Sequence, residues 1–261
     1  LIVHLGTASQ LDAWAVDVPG IAYDLVKRFW PGPLTLVLKK APNVDKGLTG
    51  GLDTVALRMP AHPALLALLK RSGMALAAPS ANPHKALSPT SAGQVMANMA
   101  GKVAAVLDGG DCNLGIESTI LDLTSPEPRV LRAGPITAGE LSDFLGCPVG
   151  LPRQHQVAVP GNMRVHYRPR TPLKLKSASD IQVDPGFPVV RLLLSDPVDQ
   201  VVASFALTRL MPSEKGAYAR LLYRALYEAD QLGAREIWVE TPPSTERWWD
   251  VHDRLGRAAS E

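Results

Sequence analysis

The sequence predicts an α/β or α+β sheet with helices packed on it, followed by a second, smaller open α/β domain. Three observations predict this. Apolar strand-like runs alternate with helix-periodic runs from the first residue to about 147. Residues 148–172 then hold Pro148, Pro152, Pro160, Pro169 and Pro172 with little periodicity, which reads as a stiff linker. Alternation resumes over 173–261. The expected organisation is therefore 1–147, a proline-rich basic linker 148–172, and 173–261.

Each element has its own signal. "LIVHL" is a first strand. "IAYDLVKRFW" sets Ile21, Leu25, Val26 and Phe29 on one helical face, and "PGP" at 31–33 stops it. "LTLVLK" and "TVALRM" are strands joined by the glycine-containing loop "KKAPNVDKGLTGGLD". "HPALLALLKRSG" has Pro63 early and Gly73 at its end, the asymmetry of a helix. "MALAAP" is a strand, a helix follows near 90–100, and "VAAVLDGG", "STILDL" and "RVLR" read as strands. "TAGELSDFLG" spaces Thr137 and Glu140 as a capping box. In the second domain, "PVVRLLLS" and "EIWVE" are strands, and "YARLLYRALYEADQLG" and "RWWDVHDRLGRAAS" are helices.

Composition excludes several classes. Of 261 residues, 46% are hydrophobic and 20% charged, which suits a packed globular chain rather than a disordered tail. No apolar run approaches the roughly 18 residues of a membrane helix. Cys112 and Cys147 form no CxxC pair, and reduced thiols in a cytoplasmic protein are expected. No leader peptide is expected, and the opening strand predicts further sequence upstream. The net charge of +2 is uneven: residues 151–176 carry 6 basic and no acidic side chains. From charge alone that segment suits a solvated tether as well as a nucleic-acid contact.

"AAPSANPHKALSPTSAGQV", residues 77–95, crowds Ser80, Asn82, Ser88, Thr90 and Ser91 between a strand and a helix. Hydroxyls, an amide and free backbone N–H groups are what hold phosphate oxygens or hydrated magnesium. Taken alone, the same residues also suit a turn and a helix cap. Thr54 and Arg58 lie four apart on a strand and so face one side. An arginine in an apolar strand requires an anion, either a ligand or an internal salt bridge. Glu117, Ser118 and Thr119 stand at a strand entrance, Arg132 at a strand end before Gly-Pro, and His4 inside an apolar strand. A lone His of that kind is more often a core residue than a ligand. Neither a Walker loop nor GxSxG occurs, and no His, Cys and carboxylate set has metal-ligand spacing, so no protein-held metal is expected.

The blocks "LIVH", "KRFWPGPLTLVL", "VALRMPAHP", "APSAN…SPT", "LDGG…GIESTILDL" and "VLRAGPI" occur in this order. Together they resemble the threonylcarbamoyl-AMP synthase family, the YrdC-like proteins. "PGNMRVHYRPRTPL" and "WDVHDRLGRAA" resemble its longer, two-domain form, so the likeness covers essentially the whole chain.

The resemblance implies a twisted, mixed open α/β sheet of YrdC-like type with a concave positive cavity, and a second small Rossmann-like α/β domain. It implies a nucleotidyltransferase that joins L-threonine, bicarbonate and ATP into threonylcarbamoyl-AMP and pyrophosphate, for threonylcarbamoyladenosine in tRNA. By resemblance, His4, Arg58, Ser118 and the backbone at Ala78 hold threonine, with Arg58 pairing its carboxylate. Ser80 and Asn82, the SxN motif, serve ATP phosphates and Mg2+ carried by ATP. Thr54, Ser88 and Arg132 also touch ATP, and Tyr167 closes over the nucleotide. The family's KxR motif, expected before "LIVH", is not in this sequence, so weak or no activity is expected of the chain without it. Two other readings remain: a non-catalytic module that binds tRNA or double-stranded RNA, and a carbamoyl-transfer domain like that of hydrogenase maturation factors. The second is disfavoured because zinc-finger and acylphosphatase segments do not occur in the sequence.

Overall fold

The computed structural model describes residues 1–151, 166–197 and 204–259. In chain order these form β1 (Ile2–His4), α1 (Leu11–Trp14), α2 (Gly20–Phe29), β2 (Leu34–Lys39), α3 (Lys46–Thr49), β3 (Thr54–Arg58), α4 (Pro63–Ser72), β4 (Leu76–Ala78), α5 (Ala92–Met99), β5 (Thr119–Asp122), β6 (Arg129–Arg132), α6 (Ala138–Leu145), β7 (Leu173–Lys176), β8 (Val189–Leu193), β9 (Phe205–Leu210), α7 (Lys215–Asp230), β10 (Glu236–Glu240) and α8 (Trp249–Ala259). They fall into two compact units, Leu1–Pro79 with Glu117–Asn162 and Ser80–Ile116 with Met163–Glu261. The class is α/β, as expected, with a mixed sheet in the first unit and a parallel sheet in the second.

The first unit holds a six-stranded sheet in the order β4-β1-β3-β2-β5-β6. β1 runs parallel to β3 and β2 to β5; the remaining neighbours are antiparallel. Strand side chains alternate between faces. Val3, Leu36, Leu38, Val55, Leu57, Leu121 and Val130 point one way, into the main core with Leu25 and Val26 of α2 and Leu141 of α6. Each such side chain contributes about 1.5–3 kcal/mol by leaving water. Ile2, Val37, Ile120 and Leu131 point the other way and form a small apolar floor with Ala56. The Thr137 hydroxyl caps α6 by accepting the Glu140 N–H at 3.1 Å.

The second unit holds four parallel strands in the order β7-β10-β8-β9. Along α7, Tyr218, Leu222, Ala225, Leu226 and Ala229 recur every three or four residues, and all are buried. Trp248 is buried beside Val251 and Leu255 of α8, whereas the adjacent Trp249 is exposed. Segment 80–116, expected with the first domain, packs in this unit. Leu87 and Ile116 join its core, and Asp111 pairs with Arg224 at 2.8 Å. Gly115 (φ +73°) lies so close to α7 that a Cβ there would sit 2.4 Å from the Arg220 carbonyl oxygen.

Several expected elements differ. "VAAVLDGG" is not a strand: Val103 and Leu107 are exposed, and no strand among the described residues pairs with this stretch. A strand needs a partner edge, which local β-propensity does not supply. β7 ("LKLK") and β9 ("FALTRL") were not expected; both are made by their parallel neighbours. The short α3 lies in a stretch read as loop, and α1 in one for which no element was expected. Most of the proline-rich linker, 152–165, lies outside the described residues. Among the described residues, no helix is long and apolar enough to cross a membrane.

Candidate functional site

Register lines up a polar row on the apolar-floor face of the first sheet. His4 pairs with Arg58 across β1 and β3. Leu36 pairs with Leu57, which sets Thr35 beside Arg58 on the opposite face. Leu34 pairs with Thr119, which Ser118 precedes, and Ile120 pairs with Arg132. His4, Arg58, Thr35, Ser118 and Arg132 therefore stand at one end of a sheet that is otherwise apolar there.

Two arginines dominate the row. Arg58 Nε donates to the Gly32 carbonyl at 3.0 Å. That is its single hydrogen bond among the described residues, so both terminal nitrogens are left for a ligand. Burial, and then the neighbouring charge of Arg132, pull the Arg58 pKa down to about 10. Arg132 is itself buried and wraps Ser118: Nε donates to the Ser118 carbonyl at 2.9 Å and Nη2 to its Oγ at 3.0 Å. Ser118 Oγ also lies 2.8 Å from Thr35 Oγ1. Burial, and then the Arg58 charge, hold the His4 imidazole down at about 4, so it is neutral near pH 7. Its Nδ1 is buried and has no hydrogen-bond partner among the described residues. Two adjacent cations over an apolar floor, flanked by a hydroxyl and a neutral imidazole, suit a small anion that also carries polar groups.

Backbone packing fixes Ser118. A Cβ at Gly134 would lie 2.3 Å from Thr119 N and 2.6 Å from the Ser118 carbonyl carbon, so only glycine permits this approach. Thr119 Oγ1 ties the same turn by donating to the Ile136 carbonyl at 2.7 Å.

The other expected residues fall elsewhere. The exposed Ala78 pairs with Ile2, two positions along from His4. Thr54 lies on the face of Arg58 but at the far end of β3, about 13 Å away by strand rise. Ser80, Asn82, Ser88 and Tyr167 belong to the second unit. Ser80 is exposed. The Asn82 amide donates to the carbonyls of Pro83 at 3.0 Å and Ala86 at 2.9 Å, while its Oδ1 is buried without a partner among the described residues. Ser91, rather than Ser88 or Thr90, caps α5. Tyr167 is buried, with φ +59°, stacked on Tyr223 at 5.5 Å and with Arg254 at 5.4 Å from its ring centroid. Among the described residues, no group of three His, Cys, Asp or Glu could hold a metal ion.

Sequence reasoning missed Thr35, the Gly32 carbonyl and Gly134. Thr35 had a weak signal, a hydroxyl in "LTLVLK" at a position in phase with Val37. The two glycines had none, because their role is a contact with chain far away.

Comparison with known proteins places the chain in a family. A family model described as "Telomere recombination" (Sua5_yciO_yrdC) matches residues 1–134, and one described as "Threonylcarbamoyl-AMP synthase, C-terminal domain" matches residues 136–260. The threonylcarbamoyl-AMP synthase of Pyrococcus abyssi is 38% identical over 237 residues, which cover 89% of this chain and 64% of that protein. That of Bacillus subtilis is 35% identical, over 99% of this chain and 79% of that protein. A crystal structure of P. abyssi Sua5 complexed with L-threonine superposes with a TM-score of 0.88 at 33% identity, covering 99% of this chain and 79% of that one. A doubly substituted variant of the same P. abyssi protein gives 0.88 at 32% identity, covering 99% and 78%.

Proposed function

Because the chain belongs to the threonylcarbamoyl-AMP synthase family, we propose that its protein forms L-threonylcarbamoyladenylate and pyrophosphate from L-threonine, bicarbonate and ATP, and supplies tRNA modification in the cytoplasm. The observation that carries this reading is Arg58. It is a partly buried guanidinium with both terminal nitrogens unused among the described residues, beside a second arginine. Such a site favours an anion over an empty state. The carboxylate of threonine fits, with Ser118 and the neutral His4 on its polar groups and the backbone at Ala78 alongside. P. abyssi Sua5 complexed with L-threonine is a solved relative of this fold.

The chemistry asks for positioning and charge cancellation rather than a protein nucleophile. The threonine amine attacks bicarbonate, water leaves, and a carbamate remains. A carbamate oxygen then attacks the α-phosphorus of ATP, and the bond to pyrophosphate breaks. Arg58 and Arg132 would offset the negative charge gathered by carboxylate, carbamate and phosphates. ATP brings Mg2+ as part of the substrate. The partnerless Asn82 Oδ1 has the hard-oxygen chemistry that such a cation accepts, and with Ser80 it is assigned to the phosphates. Thr54, Ser88 and Tyr167 are assigned to ATP by family likeness. Along the sequence, 1–147 is assigned the chemistry, 148–172 the linker and 173–261 the second domain, with segment 80–116 of the first packing in the second unit.

The test is pyrophosphate release from ATP by the full-length gene product. Release that requires both L-threonine and bicarbonate is the expected result. Salt-sensitive tRNA binding without release would replace this reading with that of a non-catalytic RNA-binding module.

A further inference from the structure

Thr35, on β2, is wholly buried, and its hydroxyl has one partner among the described residues, Ser118 Oγ at 2.8 Å. Ser118 Oγ has a second partner, Arg132 Nη2 at 3.0 Å. A serine hydroxyl offers one proton and two lone pairs, and a guanidinium can only donate. Arg132 therefore occupies one lone pair of Ser118 Oγ. One lone pair and one proton remain, to be shared between Thr35 and whatever lies in the site.

The direction of the Thr35–Ser118 bond follows from accounting for both protons. If Ser118 donated to Thr35, the Thr35 proton would be left without an acceptor on a side chain with no exposed surface, whereas Ser118 keeps 2% of its surface open. If Thr35 donates, its proton is satisfied, both lone pairs of Ser118 are filled, and the Ser118 proton is the one left over. That proton has no acceptor among the described residues, and an anion in the polar row would accept it. Donation from the charged Arg132 also polarises Ser118 and strengthens it as a donor.

We propose that Thr35 is a positioning residue for L-threonine: it donates to Ser118 Oγ and thereby holds the Ser118 hydroxyl as a donor to the substrate. The proposal rests on the reading above that Ser118 touches threonine.

The test uses full-length protein carrying Thr35→Val, which keeps shape and removes the hydroxyl, and Thr35→Ser, which restores it, with Ser118→Ala in parallel. Calorimetric L-threonine affinity and the KM values for L-threonine and ATP are measured. Thr35→Val should weaken L-threonine binding and raise its KM about tenfold, the loss of one buried hydrogen bond. The KM for ATP should stay within about twofold, Thr35→Ser should restore the threonine values, and Thr35→Val/Ser118→Ala should bind no more weakly than Ser118→Ala alone. If Thr35→Val does not accumulate as folded protein, Thr35→Cys, whose thiol is a weak donor, must show the same split. Weakened threonine binding in Ser118→Ala but not in Thr35→Val would overturn the proposal and leave the threonine site standing. Equal losses for threonine and ATP, or no rescue by serine, would reduce Thr35 to a packing residue. No effect from Ser118→Ala would remove the threonine role of Ser118 and the proposal with it.

Discussion

Arg58 and His4 are neighbours in register, yet burial acts on them with different consequences. Arg58 stays charged, with its pKa near 10, and so needs an anion; His4 is held near 4 and stays neutral. Arg58→Ala should raise the KM for L-threonine by about 10- to 100-fold, the range of a charged hydrogen bond, and affect that for ATP far less. Steady-state kinetics with each substrate varied will show it, and equal losses would count against Arg58 as the carboxylate anchor. For His4 the folded pKa lies below the usual 6.5. Between those two values the unfolded chain binds more protons, so stability is fully present above 6.5 and is lost as pH falls towards about 4. Denaturant midpoints taken from about pH 7 to about pH 4 should therefore fall less steeply in His4→Gln than in the wild type. Parallel slopes would mean that His4 is not the group responsible.

Elements carry the site through their ends and close approaches. The turn after β6 brings Gly134 onto the backbone of Ser118 and Thr119, at separations that no side chain tolerates. Gly134→Ala should cost about 1–3 kcal/mol or more, since backbone has to move, and should weaken threonine binding by displacing Ser118. A denaturation midpoint and affinity both equal to wild type would contradict this geometry. In the second unit, Lys215 at the start of α7 is paired with Asp250 at the start of α8. Burial pushes the Asp250 carboxyl up, and Lys215 opposes that shift. Lys215→Met should then destabilise by about 3–5 kcal/mol, while Lys215→Met/Asp250→Leu should recover much of the loss. Urea unfolding of the single and double variants decides it; a double variant no better than the single would show that the pair holds more than its own charges. Where periodicity was long, as along α2, α4 and α7, the element could be read from the chain. "VAAVLDGG" and "FALTRL" could not, because a short apolar run becomes a strand only if another strand lies beside it.

At the scale of the whole chain, a ligand that binds only the folded state adds to its stability. L-threonine at about a hundredfold excess over its Kd should stabilise the unit built on the mixed sheet by about 2.7 kcal/mol. Thermal or denaturant unfolding with L-threonine, against glycine at equal concentration, reads this shift. An identical gain from glycine would remove the side-chain hydroxyl from recognition. By itself the sequence determined the α/β class and the order of most elements, and it supplied candidate residues for the site, because periodicity, turn residues and ordered motifs are local properties of the chain. It placed His4, Arg58, Ser118 and Arg132 among the candidates on block likeness and on polar residues in apolar strands. The tertiary structure alone decided that segment 80–116 packs with the second unit and that Thr35 meets Ser118. The reason is physical: strand register and close backbone approach join residues far apart in the chain. The partner of the buried Thr35 hydroxyl lies 83 residues away, where no local pattern reports it.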